Sequence, residues 1–132
     1  MEINNKGYLA GADVVAGFPS PADDFKDIPL DLNKKYVHNP SSTFFVRVKG
    51  DSMHGAGIDE GDLLIVDKSL TAMDGDIAIC FLNGEFTVKK LQIKRDRIVL
   101  VPANDKYRPI EVPPDSDFLV WGVVRHIIKT IR

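Results

Sequence analysis

The chain has 132 residues, 44% of them hydrophobic, enough for one modest core in a single domain. Its 17 basic and 19 acidic side chains give a net charge of -2, without the basic footprint of a protein that holds nucleic acid alone. No apolar run approaches the ~20 residues needed to cross a bilayer.

The opening residues, MEINNKGYLAG, show no apolar stretch behind a basic start, so they do not read as a secretory signal and a cytoplasmic location is expected. Residues 1 to 42 are rich in Gly, Pro, Asn and Asp and show no sustained helix or strand period. Pro19, Pro21, Pro29 and Pro40 each remove a backbone donor and push the preceding residue toward extended geometry. The segment is expected to be an extended N-terminal arm. Within it, only DLNKKYV at 31 to 37 suits a short helical turn, with Asp31 as N-cap.

From residue 43 to 132 the texture changes to short runs of β-branched and aromatic residues between turn signals, which predicts a mostly β domain. Strands are expected at 44 to 50, 62 to 68, 76 to 82, 85 to 93, 97 to 103, 109 to 112 and 118 to 131. Asn83-Gly84 predicts a type I′ hairpin, which makes the strands on either side of it antiparallel neighbours. The single cysteine, Cys80, lies in the apolar run DIAICFL and reads as a small core residue. The basic residues of the terminal RHIIKTIR alternate with isoleucines, as on a solvated strand face.

Ser52 follows a predicted strand in the turn Gly50-Asp51-Ser52-Met53, where a hydroxyl can project and N–H groups can point outward. Gly-Asp-Ser is also an ordinary turn sequence. A serine becomes a nucleophile only when something removes its proton. Among the histidines, His38 lies in the Pro-rich arm, His54 is two residues from Ser52, and His126 alternates with surface-like residues. None has a clear orienting carboxylate, as a Ser-His-Asp triad requires. Lysine is the other base to consider. In EFTVKKLQI, alternation sets Lys89 on the face of Thr87, Leu91 and Ile93, and Lys90 on the face of Phe86, Val88 and Gln92. An amine held against Leu91 and Ile93 is partly desolvated, which favours its neutral form. The competing view is a lysine whose stem lies on apolar surface with its charge in water.

The run GDSMHGAGIDEGDLLIVDKSLTAMDGDIAICFLNGEFTVKKLQI closely resembles the catalytic core of the LexA and UmuD group, the self-cleaving Ser-Lys peptidases of family S24. The likeness extends from residue 16 to residue 132. It implies a curved, LexA C-terminal-like β domain carrying a Ser-Lys dyad, with a scissile bond in the arm. Ser52 matches the nucleophile of that pattern, Lys89 the general base, and Ala16-Gly17 the cleavage dipeptide of a small residue followed by glycine. Val14 and Val15 before it suit an extended segment, and Ala16 and Gly17 leave room for attack at the carbonyl carbon. No metal or cofactor is implied. The resemblance also implies a homodimer, a UmuC-like translesion polymerase as partner, and cleavage stimulated by RecA filaments on single-stranded DNA. The stretch before Ala16 leaves no room for a helix-turn-helix domain, so direct specific DNA binding is not expected. A non-catalytic interaction module, with Ser52 a turn serine and Lys89 a surface lysine, is the alternative; a processing protease acting on other proteins is disfavoured by the missing membrane anchor.

Overall fold

A computed structural model describes residues 7–10 and 27–132, and the side chains from Pro29 onward. The chain forms two units, residues 1–38 and 39–132. Among the described residues no helix is long and apolar enough to cross a membrane.

In the first unit, β1 (Gly7–Ala10) pairs antiparallel with β2 (Asp27–Leu30), with Tyr8 opposite Pro29. This short ladder lies within the segment expected to be an extended arm, where the sequence shows no sustained strand period. Four residues are too few to reveal a period, and Pro29 argues against a strand although an edge position tolerates it. The helical turn α1 (Leu32–Tyr36) follows, and the Asp31 side chain accepts from the Asn33 N–H at 3.0 Å as its N-cap.

The second unit is one antiparallel sheet in the order β3-β4-β9-β5-β6-β7-β8. The strands are β3 (Thr43–Arg47), β4 (Leu63–Asp67), β5 (Ile77–Leu82), β6 (Glu85–Ile93), β7 (Ile98–Val101), β8 (Ile110–Glu111) and β9 (Phe118–Ile128). Each expected strand is present, but β3 stops at Arg47 and β9 at Ile128, three residues short in each case. Beyond Arg47, Val48 leaves the ladder to bond the Asp62 carbonyl across a turn, its N–H donating at 2.9 Å. Asn83 and Gly84 both have positive φ, 49° and 89°, and fix the β5–β6 register with Leu82 opposite Glu85.

β5 packs on both faces, which is why its residues IAICFL are all apolar. Ile79 joins Val48, Met53, Ile58, Leu64 and Val66 in one buried cluster, while Ala78 and Cys80 join Leu91 and Leu100 in another. The register of β9 shifts opposite Ile65/Val66 and again opposite Ile79/Cys80, leaving Arg125 and Trp121 as extra residues. Such bulges bend a strand, so the longest strand curves over its neighbours. Gly122 lies beside one bulge, where a Cβ would come within 2.5 Å of Val66 Cγ1.

Candidate active site

Lys89 enters the site from the middle of β6. It stands directly opposite Ala78 on β5, so both side chains share one face with Thr87, Leu91 and Cys80. Two strands of apolar neighbours leave Lys89 only 7% exposed. Removing an ammonium from water disfavours its charge, and burial pushes Lys89 below the usual lysine value of 10.5. Burial also pushes the Cys80 thiol up to about 11, and its proximity to Lys89 partly offsets the lowering of the amine. Lys90, on the other face, is exposed, as strand alternation predicts.

The Lys89 Nζ contacts three oxygens: Thr87 Oγ1 at 2.7 Å, Ser52 Oγ at 2.9 Å and the Val88 carbonyl at 3.1 Å. An ammonium donates to all three. A neutral amine has two N–H bonds and one lone pair, so Thr87 and Val88 absorb the donors and the lone pair faces the Ser52 hydroxyl. That arrangement suits proton removal from Ser52.

Ser52 sits in the turn after β3. Gly50 takes φ 88°, a conformation open to glycine, and the 3-10 turn His54–Ala56 follows. The turn is fastened to the segment after β7. Asn104 Nδ2 donates to the Asp51 carbonyl at 2.9 Å, Ala103 N–H donates to the Ser52 carbonyl at 2.8 Å, and Gly55 N–H donates to the Ala103 carbonyl at 2.6 Å. Gly55 is required there, since a Cβ would fall 2.6 Å from the Ala103 oxygen. The N–H groups of Ser52 and Met53 have no acceptor among the described residues, whereas those of His54 and Gly55 are engaged.

Asp51 is not a base for this serine. Its carboxylate accepts from Tyr107 Oη at 2.6 Å and Lys106 Nζ at 3.1 Å, which hold it below the usual carboxylate range. His54 turns its Nδ1 toward Asp59, and Lys129 Nζ donates to the same carboxylate at 2.7 Å. The side chain that reaches the Ser52 hydroxyl is Lys89. His38 belongs to the first unit, and His126 lies half-buried on β9 opposite Ile65.

A groove of about 220 Å³ opens beside Ser52, lined by Val46, Val48, Leu64, Ile79 and Phe86. A larger depression of about 960 Å³ borders the other residues of the turn, Asp51, His54 and Gly55, but neither Ser52 nor Lys89 lines it. Ser52 lines the smaller groove, and Arg47, Lys49 and Thr87 add polar groups to its wall. β7 covers β6 only along residues 90 to 93, so among the described residues no strand covers that edge along 85 to 89. Ala16 and Gly17 lie outside the described residues.

The model of the peptidase S24-like family matches residues 8–125. The chain belongs to this family. It is 48% identical to protein SamA of Salmonella typhimurium over 117 residues, which are 89% of this chain and 81% of SamA. Protein ImpA of Escherichia coli is 44% identical over 117 residues (89% of this chain, 79% of ImpA), and protein MucA of Escherichia coli 43% over 114 residues (86% and 77%). These relatives are UmuD-like proteins, and S24 membership carries self-cleaving serine-peptidase chemistry in SOS mutagenesis. The structure brings together the serine and lysine singled out in the sequence, while the segment Ala103-Asn104 that fastens the turn was not foreseen. Its signal was limited to an Asn-Asp pair in a loop, which marks a bend and nothing more.

Proposed function

We propose that Ser52 and Lys89 form the dyad with which this S24 peptidase cuts its own chain between Ala16 and Gly17. The observation that carries the reading is the 2.9 Å approach of a buried, charge-disfavoured amine to the Ser52 hydroxyl.

Lys89 takes the Ser52 proton as Oγ attacks the Ala16 carbonyl carbon. The tetrahedral oxyanion receives the N–H groups of Ser52 and Met53. Collapse breaks the Ala16–Gly17 bond, Lys89 returns the proton to the Gly17 nitrogen, and Ala16 remains as an ester on Ser52. Water, deprotonated by Lys89, then hydrolyses the ester and frees the Ala16 carboxylate and the serine. The apolar wall of the groove, Val46, Val48, Leu64, Ile79 and Phe86, suits Val14 and Val15, and the uncovered edge of β6 offers backbone partners to an extended segment. Because the substrate is tethered, a modestly activated dyad suffices for a single turnover.

The fragment beginning at Gly17 acts, on this reading, as a homodimeric accessory subunit of a UmuC-like translesion polymerase in the cytoplasm. RecA filaments on single-stranded DNA stimulate the cut. Incubation of the full chain at raised pH tests the chemistry. Mass spectrometry should find a product starting at Gly17, absent from Ser52→Ala and Lys89→Ala; cleavage of either variant at the parent rate would refute the dyad.

A further inference from the structure

We infer that Asn104 is a positioning residue for self-cleavage, acting through the peptide that joins Asp51 to Ser52. The inference rests on the dyad reading above.

A trans peptide is planar, with its C=O and N–H pointing in opposite directions. Fixing one end therefore aims the other. The Asp51 carbonyl belongs to the same peptide as the Ser52 N–H, and it accepts from the His54 N–H within the turn at 3.1 Å and from Asn104 Nδ2 outside it at 2.9 Å. The Ser52 carbonyl belongs to the same peptide as the Met53 N–H, and it accepts from Ala103 N–H at 2.8 Å. The two N–H groups with no acceptor in the turn are thus aimed from behind by adjacent residues of one segment. Asn104 is itself held, because its Oδ1 accepts from the Lys106 N–H at 3.0 Å. The Asn104 amide therefore has a fixed sense, oxygen toward Lys106 and nitrogen toward Asp51.

The same segment ties the serine to the lysine. Val101, at the end of β7, is in register with Lys90 on β6, next to Lys89. Pro102 then leads to Ala103 and Asn104, which grip the serine turn. The path from Lys89 to Ser52 runs through one residue pair and three residues of loop, so both members of the dyad are referred to one short piece of backbone. Ala103 contributes through its backbone, which no side-chain substitution removes. Asn104 contributes through a side chain, and that makes its part testable.

Asn104→Asp keeps the acceptor toward Lys106 and replaces the donor toward Asp51 with an oxygen; Asn104→Ala removes both. Self-cleavage rates of the full chain are measured from neutral pH to about pH 11, below the melting temperature of each variant. Both variants should lower the rate plateau by roughly 10- to 100-fold, less than or comparable to the loss of an oxyanion donor itself. The midpoint of the pH profile should stay where it is, because Lys89 and its burial are untouched. A general loosening of the site would hydrate Lys89 and move the midpoint up toward that of a free lysine. That shift, or a parent-like plateau in Asn104→Asp, would overturn the inference. Ser52→Ala and Lys89→Ala run beside them separate the two claims. If these controls cleave, the dyad fails and the inference with it; if they are inert while Asn104→Asp cleaves normally, only the role of Asn104 fails.

Discussion

Lys89 Nζ lies 2.9 Å from Ser52 Oγ, although the two residues are 37 positions apart in the chain. Only the neutral amine can take the serine proton, and burial lowers the pH at which it becomes neutral. Self-cleavage should therefore rise about tenfold per pH unit at first and level off at a midpoint below 10.5. Lys89→Arg keeps the charge at every accessible pH and should be inert throughout. Rates from gel densitometry across the pH range check both expectations, and a flat profile for the parent chain would remove Lys89 as the base.

The same burial has the opposite sign for stability. The folded Lys89 gives up its proton more readily than the unfolded one, so between the two values the unfolded chain binds more protons and stability rises with pH. Below the folded value the fold holds a buried ammonium at a cost. Lys89→Met should then abolish cleavage yet stabilise the protein at neutral pH by on the order of 1 kcal/mol, several degrees in melting temperature. Calorimetry of the two proteins decides it; a destabilised Lys89→Met would mean that the three hydrogen bonds of Nζ outweigh its desolvation.

Thr87 accepts from Lys89 Nζ at 2.7 Å, shorter than the contact to Ser52. With that acceptor gone, one N–H of the neutral amine must find another partner, and Ser52 Oγ is the nearest. The lone pair then turns away from the hydroxyl. Thr87→Val, which keeps the shape, should slow cleavage by roughly tenfold, a fraction of the roughly 10²- to 10⁴-fold that proton transfer to a positioned base contributes. Thr87→Ser should recover most of the rate. Equal rates in the valine and serine variants would show that Thr87 serves packing alone.

The parts of this site that sequence exposes are those written at short range. Lys89 separates from Lys90 because a strand has period two, and one is buried while the other is exposed. Asn83-Gly84 announces the β5–β6 hairpin because both positions need positive φ. Asn104 could not be found this way. Its partner is the Asp51 carbonyl, 53 positions earlier, and a backbone acceptor carries no residue identity to recognise. The β9 bulges at Trp121 and Arg125 escape for a similar reason, since an extra residue shows only against the strands on either side. The resemblance joined Ser52 to Lys89; periodicity alone offered two unrelated candidates.

Asp67, at the end of β4, is the acceptor on which residues 39 to 42 are anchored. Its Oδ2 accepts from Asn39 Nδ2 at 3.0 Å, and its Oδ1 from Ser42 Oγ at 3.0 Å, Ser69 N–H at 2.8 Å and Ser69 Oγ at 2.6 Å. These donors, Ser69 and Asn39 foremost, hold the carboxyl well below the usual carboxylate range. A depressed folded value means that the unfolded chain takes up the proton first as pH falls. The stabilisation is complete above about 3.8, the ordinary value, and disappears as pH drops from there toward the folded one. Asp67→Asn leaves one acceptor oxygen without charge, and hydrogen bonds to a charged group contribute about 1.5 to 3 kcal/mol each. The variant should melt roughly 10 °C lower at neutral pH. It should also lose much of the acid sensitivity that the parent shows below pH 3.8. Melting curves at neutral and acidic pH measure both effects. A variant that melts with its parent at neutral pH would show that the four donors are satisfied equally well by water, and the anchor would carry no stability.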